Sequence, residues 1–134
     1  MKLVIHTDGG ARGNPGPAAI GVVIEEGKEI AGFGKRIGET TNNVAEYTAV
    51  IEALTYVASL KIQKPLINFF LDSTLVVNQL NGLYKVKESH LRELVTKVRI
   101  LESEVGGEVT YSYIPREENR RADFFVNKAL DEIS

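Results

Sequence analysis

The spacing of apolar residues changes along the chain, and the first third has the pattern of β-strands. Three apolar stretches span Leu3 to Asp8, Ala18 to Glu25 and Glu29 to Ile37. The segment Glu26-Gly27-Lys28 between the second and third stretches is a tight turn, and a Gly- and Pro-rich segment separates the first two. Because short turns join neighbouring antiparallel strands, we predict a three-stranded meander.

A helix is predicted next, because the apolar positions change to a spacing of three and four residues. These positions are Val44, Tyr47, Ile51, Leu54 and Ala58. The side chains of Thr40-Thr41-Asn42-Asn43 can cap its N-terminus. Pro65 precedes a fourth strand, Leu66 to Leu71. A strand–helix–strand connection has to cross over, so we expect this strand to run parallel to one of the first three.

Three more helices and one strand complete the pattern. Asp72-Ser73 caps a short helix that Asn81-Gly82 ends, and a longer helix covers roughly Glu88 to Val105. A fifth strand is predicted at Glu108 to Ile114. The last helix begins near Asn119, and we expect it to bury Ala122, Val126, Ala129, Leu130 and Ile133. The order of strands and helices along the chain predicts an α/β fold with one mixed sheet and helices on both faces. We expect residues 1–134 to form a single domain.

Composition narrows the function more than the fold. The chain has 134 residues, 43% of them hydrophobic and 25% charged, which is typical of one globular domain. The absence of cysteine excludes disulfides, iron–sulfur clusters and thiol catalysis, and two histidines alone disfavour structural zinc. A formal net charge of −2 argues against indiscriminate coating of nucleic acid but permits a local basic surface. Without a membrane-length apolar run or a signal peptide, we expect a cytoplasmic protein with no membrane contact and no obligate protein partner.

Four carboxylates occupy positions that suggest a shared site. Asp8 and Asp72 each follow an apolar strand directly, at the edge of an open α/β sheet where ligands bind. Glu46 lies in the first turn of the first predicted helix, and Asp123 lies in the first turn of the last. Each has a local alternative. Asp8 can belong to a strand-ending turn, Glu46 has capping-box spacing from Asn43, and the other two can stabilise helix N-termini.

The four acids together favour a metal site. Ionised carboxylates a few ångströms apart repel one another unless a cation neutralises them. Oxygen ligands without histidine or cysteine select Mg²⁺ or Mn²⁺. Two such ions about 4 Å apart suit in-line displacement at phosphorus. We therefore predict phosphodiester hydrolysis, with the Gly- and Pro-rich segment after Asp8 gripping a nucleic-acid backbone.

Five segments of the chain resemble ribonuclease HI, the type 1 ribonuclease H family, and the resemblance extends over the whole length. They are Thr7-Asp8-Gly9-Gly10-Ala11-Arg12-Gly13-Asn14-Pro15-Gly16-Pro17, Thr41-Asn42-Asn43-Val44-Ala45-Glu46, Leu71-Asp72-Ser73, Asn78-Gln79-Leu80-Asn81-Gly82 and Ile114-Pro115-Arg116-Glu117-Glu118-Asn119-Arg120-Arg121-Ala122-Asp123. The resemblance implies the sheet order 3-2-1-4-5, with strands 1, 2 and 3 antiparallel and strands 1, 4 and 5 parallel.

The resemblance also implies an activity, which is cleavage of the RNA strand of RNA/DNA hybrids to leave 5′-phosphate and 3′-hydroxyl ends. The metal-binding and catalytic carboxylates of the family correspond to Asp8, Glu46, Asp72 and Asp123, which would hold two Mg²⁺ or Mn²⁺ ions when substrate is bound.

Substrate contacts are implied as well, since selecting RNA requires polar groups on the 2′-hydroxyl. They fall on Gly9, Gly10, Arg12, Asn14, Thr41, Asn42, Asn43, Lys85 and Lys87. Thr41 and Asn42 would hold a phosphate of the DNA strand. The asparagines can also cap the helix, and the lysines can equally belong to a solvated face.

The chain departs from the family pattern in the loop Pro115 to Arg121, which lacks the histidine that many relatives carry. Arg116 is the candidate catalytic replacement, acting by stabilising charge on the phosphate. The alternative is an arginine that meets only solvent or Glu118. Glu39 stands where some relatives have arginine, and no long basic insertion follows the short helix. Two alternative functions therefore stay open: a nuclease that also cuts double-stranded RNA, and a non-catalytic nucleic-acid-binding module.

Overall fold

The computed structural model describes residues 1–132, and these form five strands, four α-helices and one 3-10 turn at Arg116–Glu118. Ile133, predicted to be buried by the last helix, lies outside the described residues. The elements are β1 (Lys2–Ala11), β2 (Gly16–Glu26), β3 (Lys28–Thr40), α1 (Asn42–Ser59), β4 (Leu66–Leu71), α2 (Thr74–Leu80), α3 (Ser89–Val105), β5 (Glu108–Tyr113) and α4 (Arg120–Asp131).

The five strands form one mixed sheet in the order β3-β2-β1-β4-β5. β1 pairs antiparallel with β2, and β2 pairs antiparallel with β3. β4 runs parallel to both β1 and β5. The predicted α/β fold and the strand order implied by the family resemblance are therefore confirmed.

Helices cover both faces of the sheet. α1 packs on β1 and β2 and is itself covered by α3, whereas α4 packs across β1, β2 and β3 from the other face. The alternation of β1 follows from this: Leu3 and Ile5 are buried under α1, while His6 and Asp8 share the opposite face. His6 stacks on Phe70 of β4, with ring centroids 5.3 Å apart, so it is a packed residue.

The buried face of α1 is wider than its predicted stripe. Val44, Ile51 and Ala58 are only half-buried and form the edge of this face, whereas Tyr47 and Val50 are completely buried. The reason is that α1 lies between the sheet and α3, so residues on both sides of the helix lose contact with solvent. None of the helices within residues 1–132 has the length and apolar character needed to span a bilayer.

β1 is longer than predicted, which corrects the position of Asp8. The ladder with β2 continues through Gly9, Gly10 and Ala11, so Asp8 lies inside the strand and not at its end. Glycines have no side chain to pack, but their backbone groups pair as well as any others. The parallel ladder with β4, however, stops at His6–Phe70. Asp8 therefore lies where β1 and β4 separate, and this opening gives it space for a ligand.

Candidate active site

The register of the parallel strands brings Asp8 and Asp72 together. His6 pairs with Phe70, and Asp8 and Asp72 each lie two residues beyond that pair. Because side chains alternate between faces, both carboxylates extend to the same side as they leave the ladder. Two residues 64 positions apart in sequence, 8 against 72, thus become neighbours.

Glu46 reaches Asp8 because α1 lies directly on β1 at Gly9. A Cβ at Gly9 would overlap the Ala45 carbonyl group and lie 2.6 Å from the Glu46 nitrogen. The backbone N–H of Gly9 donates a hydrogen bond of 3.2 Å to Glu46 Oε1. The N-cap of α1 is Thr41, whose hydroxyl accepts from the Val44 N–H. The helix begins earlier than predicted, so Glu46 lies outside its first turn, and both its predicted place in that turn and its capping-box interpretation are wrong.

Asp123 is carried to the same place by α4. Gly21, which pairs with Asp8 across the β1–β2 ladder, leaves room for the Ala122 carbonyl oxygen, so the first turn of α4 lies against the sheet beside Asp8. Asp123 lies in that turn, as predicted. Burial is the largest cause of the raised pKa of Asp8, and the nearby charge of Asp123 adds to the rise.

Asn119 is a site residue whose role the sequence did not indicate. Its side chain is 1% exposed, and its Nδ2 donates to the Thr7 carbonyl oxygen at 2.9 Å and to Asp72 Oδ2 at 3.2 Å. It thereby connects the start of α4 to the point where β1 and β4 separate. In the sequence Asn119 marks only a helix boundary, because nothing local identifies partners so far along the chain.

Three carboxylates meet in a geometry that suits a metal ion. One oxygen each from Asp8, Glu46 and Asp72 lies within 4.8 Å of the others. Glu46 Oε2 is buried and has no hydrogen-bond partner among the described residues. An all-carboxylate donor set matches the preference of Mg²⁺ and Mn²⁺, and a cation would satisfy the orphaned oxygen. The residues present therefore fit a hard divalent cation.

The electrostatics of the protein alone show the cost of this cluster. Burial, reinforced by the charge of Asp72, raises the pKa of Asp8 to about 7. Burial and the charge of Asp8 raise the pKa of Glu46 well above its usual range. Burial also raises the pKa of Asp72, but the hydrogen bond from Asn119 and the positive charge of Arg116 oppose that rise. A cation bound among them would favour the ionised forms of all these groups.

The cluster lies in a cleft of about 460 Å³, referred to below as the carboxylate cleft. Predicted site residues that line it are Asp8, Gly9, Gly10, Arg12, Asn42, Asn43, Glu46, Asp72, Arg116 and Asp123. Asn14 and Thr41 are not among them, but both position the rim. Asn14 Oδ1 accepts from the Asn42 N–H at 3.0 Å, and Asn42 Oδ1 accepts from the Ala11 N–H at 2.9 Å. The loop after β1 and the start of α1 are therefore one connected unit.

Arg12 has protein partners of its own. Its Nη1 forms a 2.6 Å ion pair with Asp131 Oδ1, and its Nη2 donates to Asn127 Oδ1 at 3.4 Å. Both partners belong to α4, so the pair ties the loop after β1 to the last helix. Its side chain is still 48% exposed at the rim of the carboxylate cleft.

Lys85 and Lys87 line a second groove, of about 520 Å³, referred to below as the lysine groove. It shares Asn43 and Leu75 with the carboxylate cleft, so the two depressions adjoin. Leu75, predicted only as part of the short helix, is 38% exposed at this junction. The fold thus places most of the predicted substrate residues in two adjoining depressions.

Comparison with known proteins agrees with this architecture. The family model described as "Reverse transcriptase-like" matches residues 6–129. The crystal structure of LC11-RNase H1 in complex with RNA/DNA hybrid is 46% identical to this chain, with a TM-score of 0.93 and 96% of each chain covered.

Two curated proteins illustrate the range of lengths. Ribonuclease H of Saccharopolyspora erythraea is 35% identical over 148 residues, which cover 96% of this chain and 90% of the relative. The bifunctional protein Rv2228c of Mycobacterium tuberculosis is 39% identical over 134 residues, covering 98% of this chain but only 36% of the relative. The chain therefore spans about a third of the length of that mycobacterial protein. The matched residues 6–129, the near-complete alignment with a ribonuclease H and the shared fold show that the chain belongs to the type 1 ribonuclease H family.

Proposed function

We propose that this protein is a metal-dependent endoribonuclease that hydrolyses the RNA strand of RNA/DNA hybrids, leaving 5′-phosphate and 3′-hydroxyl ends. The observation that carries the proposal is the meeting of Asp8, Glu46 and Asp72 oxygens within 4.8 Å. The similar LC11-RNase H1 was crystallised in complex with RNA/DNA hybrid, which supports the same substrate here.

The four carboxylates Asp8, Glu46, Asp72 and Asp123 would hold two Mg²⁺ or Mn²⁺ ions when substrate is present. When bound, such ions supply an activated water nucleophile and neutralise charge on the phosphate. The protein's contribution is to hold the ligands rigidly. Gly9 N–H orients the carboxylate of Glu46, and Asn119 orients that of Asp72.

Recognition of the RNA strand would come from the rim of the carboxylate cleft. The half-buried backbone of Gly10, which lines the carboxylate cleft, and the loop carrying the exposed Asn14 can meet the 2′-hydroxyls that distinguish RNA from DNA. Asn42 Oδ1 accepts a hydrogen bond from the Ala11 N–H, so the Asn42 Nδ2 can still donate to a ligand. Thr41 uses its Oγ1 as an acceptor for the Val44 N–H, so its hydroxyl proton can still be donated to a phosphate oxygen of the DNA strand.

Arg116 would stabilise charge on the phosphate. It lines the carboxylate cleft from the 3-10 turn, and its positive charge opposes the rise in pKa that burial causes at Asp72, so the two charges are close. A guanidinium is always protonated and cannot move a proton as a histidine would. Its contribution is therefore electrostatic.

A cleavage assay tests the proposal. Labelled RNA/DNA hybrid, double-stranded RNA and double-stranded DNA are incubated with Mg²⁺, Mn²⁺ or EDTA. We expect cutting of the RNA strand of the hybrid, dependence on the metal, and loss of activity in Asp8→Asn and Asp123→Asn. Glu104→Gln on the exposed surface of α3 is the matched control and should cut normally.

Three outcomes of this assay would change the proposal. Cutting in EDTA, or full activity in Asp8→Asn, would contradict the metal mechanism. Binding of the hybrid without cutting would favour the non-catalytic module. Equal cutting of double-stranded RNA would broaden the substrate range, an alternative that the acidic and exposed Glu39 favours.

A further inference from the structure

The segment between α2 and α3 carries the lysine groove and is held in an unusual way. Residues 81–88 form neither helix nor strand. Nevertheless, the carbonyl oxygens of three successive residues in it accept hydrogen bonds from side chains. Gln79 Nε2 donates to Lys85 O at 3.4 Å, and Arg92 Nη1 donates to Val86 O at 3.2 Å and to Lys87 O at 2.7 Å. The backbone that presents the two lysines is thus fixed by neighbouring helices.

Gln79 connects this segment to the buried interior. It is 7% exposed, and its Oε1 accepts a 2.7 Å hydrogen bond from the hydroxyl of Tyr47, which is fully buried. Both ends of the Gln79 amide therefore have partners, one on α1 and one in the segment. Leaving any of these buried groups without a partner would be costly, so the arrangement favours a single backbone conformation.

The fixed backbone directs Lys85 and Lys87 to the same side. Val86 between them is half-buried and packs against the hydrophobic core, whereas both lysines are exposed and line the lysine groove. With Val86 turned toward the core, the two flanking lysine side chains lie on the solvent side and line the same groove. The positive charge of Arg92 suggests a phosphate contact, but its guanidinium instead donates hydrogen bonds to the Val86 and Lys87 carbonyl oxygens.

We propose that Gln79 is a positioning residue that, with Tyr47 behind it, presets Lys85 and Lys87 for phosphates of the bound duplex. This inference rests on the proposed function, because it concerns how that same substrate is held. Tyr47 directly follows Glu46 on α1. The helix that supplies a carboxylate to the catalytic centre thereby also fixes the distance from that centre to the lysine groove.

Binding and kinetics of Gln79→Leu and Tyr47→Phe test the inference. Affinity is measured by fluorescence anisotropy with labelled RNA/DNA hybrid, using Asp8→Asn as the background to prevent cutting. We expect the Kd, and the KM of the cleaving enzyme, to rise about fivefold while kcat changes less than about twofold, since misplaced lysines weaken phosphate contacts and not the chemistry. Gln79→Glu keeps an acceptor for Tyr47 but loses the donor to Lys85 O, so it should weaken binding like Gln79→Leu.

Two controls separate positioning from general loss of structure. In a Lys85→Ala/Lys87→Ala background, Gln79→Leu should cause no further change in Kd, because the groups it positions are gone. Tyr111→Phe removes a part-buried hydrogen bond, the 2.6 Å bond that the Tyr111 hydroxyl donates to Glu102 Oε2, which lies outside the lysine groove. This variant should leave Kd unchanged. If Gln79→Leu does not fold, Tyr47→Phe and Gln79→Glu carry the same test.

Several results would overturn the inference. One is an unchanged Kd in Gln79→Glu and Tyr47→Phe, and another is an equal loss of affinity with and without the two lysines. If the wild-type chain cuts the hybrid while these results are found, only the positioning role fails. If the wild-type chain neither binds nor cuts the hybrid, the proposed function fails together with it.

Discussion

At the scale of single residues, the chemistry of the site depends on where its acids are buried. Asp8 and Glu46 are 4% and 6% exposed, whereas Asp72 is half-buried and held by Asn119 and the charge of Arg116. Burial disfavours the ionised forms of Asp8 and Glu46 in the metal-free protein. Because the ionised carboxylates are buried away from water, a bound cation would stabilise them strongly.

The raised pKa of Asp8 predicts how stability depends on pH in the absence of metal. Its pKa is about 7 in the folded protein against 3.8 normally. Below pH about 4 the group is protonated in both states, and stability falls as pH rises from about 4 to about 7. We expect Asp8→Asn to be more stable than wild type by on the order of 2 kcal/mol at pH 8 in EDTA, with no gain near pH 4.

Urea unfolding at the two pH values, with and without Mg²⁺, measures this difference. Saturating Mg²⁺ should reverse the gain, because it stabilises only the wild-type site. Glu104→Gln, an exposed acid replaced in the same way, should behave like wild type at both pH values. A gain in Asp8→Asn that is equal at pH 4 and pH 8 would show that the cost of ionising the buried Asp8 is not its cause.

Arg116 offers a second prediction at this scale. If it stabilises charge on the phosphate, Arg116→Ala should lower kcat about 10- to 100-fold. The kcat of Arg116→Lys should lie between those of the wild type and Arg116→Ala. Arg120→Ala in the adjacent helix turn is the matched control, because its guanidinium donates to the Glu117 carbonyl oxygen and does not line the carboxylate cleft. Steady-state cleavage kinetics measure these kcat values. An unchanged kcat in Arg116→Ala would show that this arginine does not act on the phosphate.

At the scale of elements, two glycines decide how closely the helices approach the sheet. Gly9 admits the backbone of α1, and Gly21 admits that of α4, so each helix brings one carboxylate toward Asp8. The bounds of β4 were predicted correctly because its apolar run is flanked by Pro65 and Asp72. β1 was predicted too short, because Gly9 and Gly10 are poor strand formers whose pairing comes from β2.

Adjacent glycines in β1 provide a test of this packing. In Gly9→Ala the new methyl group would overlap the Ala45 carbonyl group, whereas in Gly10→Ala its nearest neighbour is Val126 Cγ1 at 3.9 Å. We expect Gly9→Ala to lose about 3 kcal/mol of unfolding free energy and Gly10→Ala to change by less than about 1 kcal/mol. Urea unfolding compares them, and equal losses would mean that the approach of α1 is not limiting.

At the scale of the whole molecule, the proposed function requires a chain of net charge −2 to bind a polyanion through a local surface. The carboxylate cleft and the lysine groove adjoin at Asn43 and Leu75, so acidic and basic regions are separated along one surface. Binding of a duplex would place different parts of the nucleic acid over each region. Affinity should therefore depend on a few lysines and not on overall charge.

The salt dependence of binding checks this distribution of charge. In an Asp8→Asn background, the logarithm of the association constant of the hybrid should fall linearly with the logarithm of salt concentration, by roughly one per phosphate contact. Replacing both Lys85 and Lys87 by alanine should reduce the magnitude of that slope by about 2. Lys97→Ala, exposed on α3 and lining neither depression, should leave it unchanged. The surface would be wrongly assigned if the double variant kept the wild-type slope.

The sequence alone determined the properties that depend on neighbours along the chain. Apolar spacing, caps and turn residues identified the five strands and four helices, and short motifs identified the family and predicted four acids as its metal ligands. Such signals are local, because they arise from backbone preference and from side chains a few positions apart. For the same reason they left the local alternatives open, as the capping-box interpretation of Glu46 illustrates.

Only the tertiary structure decided which residues meet. The register of β1 and β4 placed Asp8 beside Asp72, and the contact at Gly9 turned Glu46 from a helix residue into a partner of Asp8. Asn119 bonds to the Thr7 carbonyl oxygen 112 positions away, and Gln79 joins two helices and a loop. These contacts depend on long-range packing, in which the whole fold has to form before any one pair is close. Strand and helix patterns in the sequence indicate which elements form, but not which of their side chains come into contact.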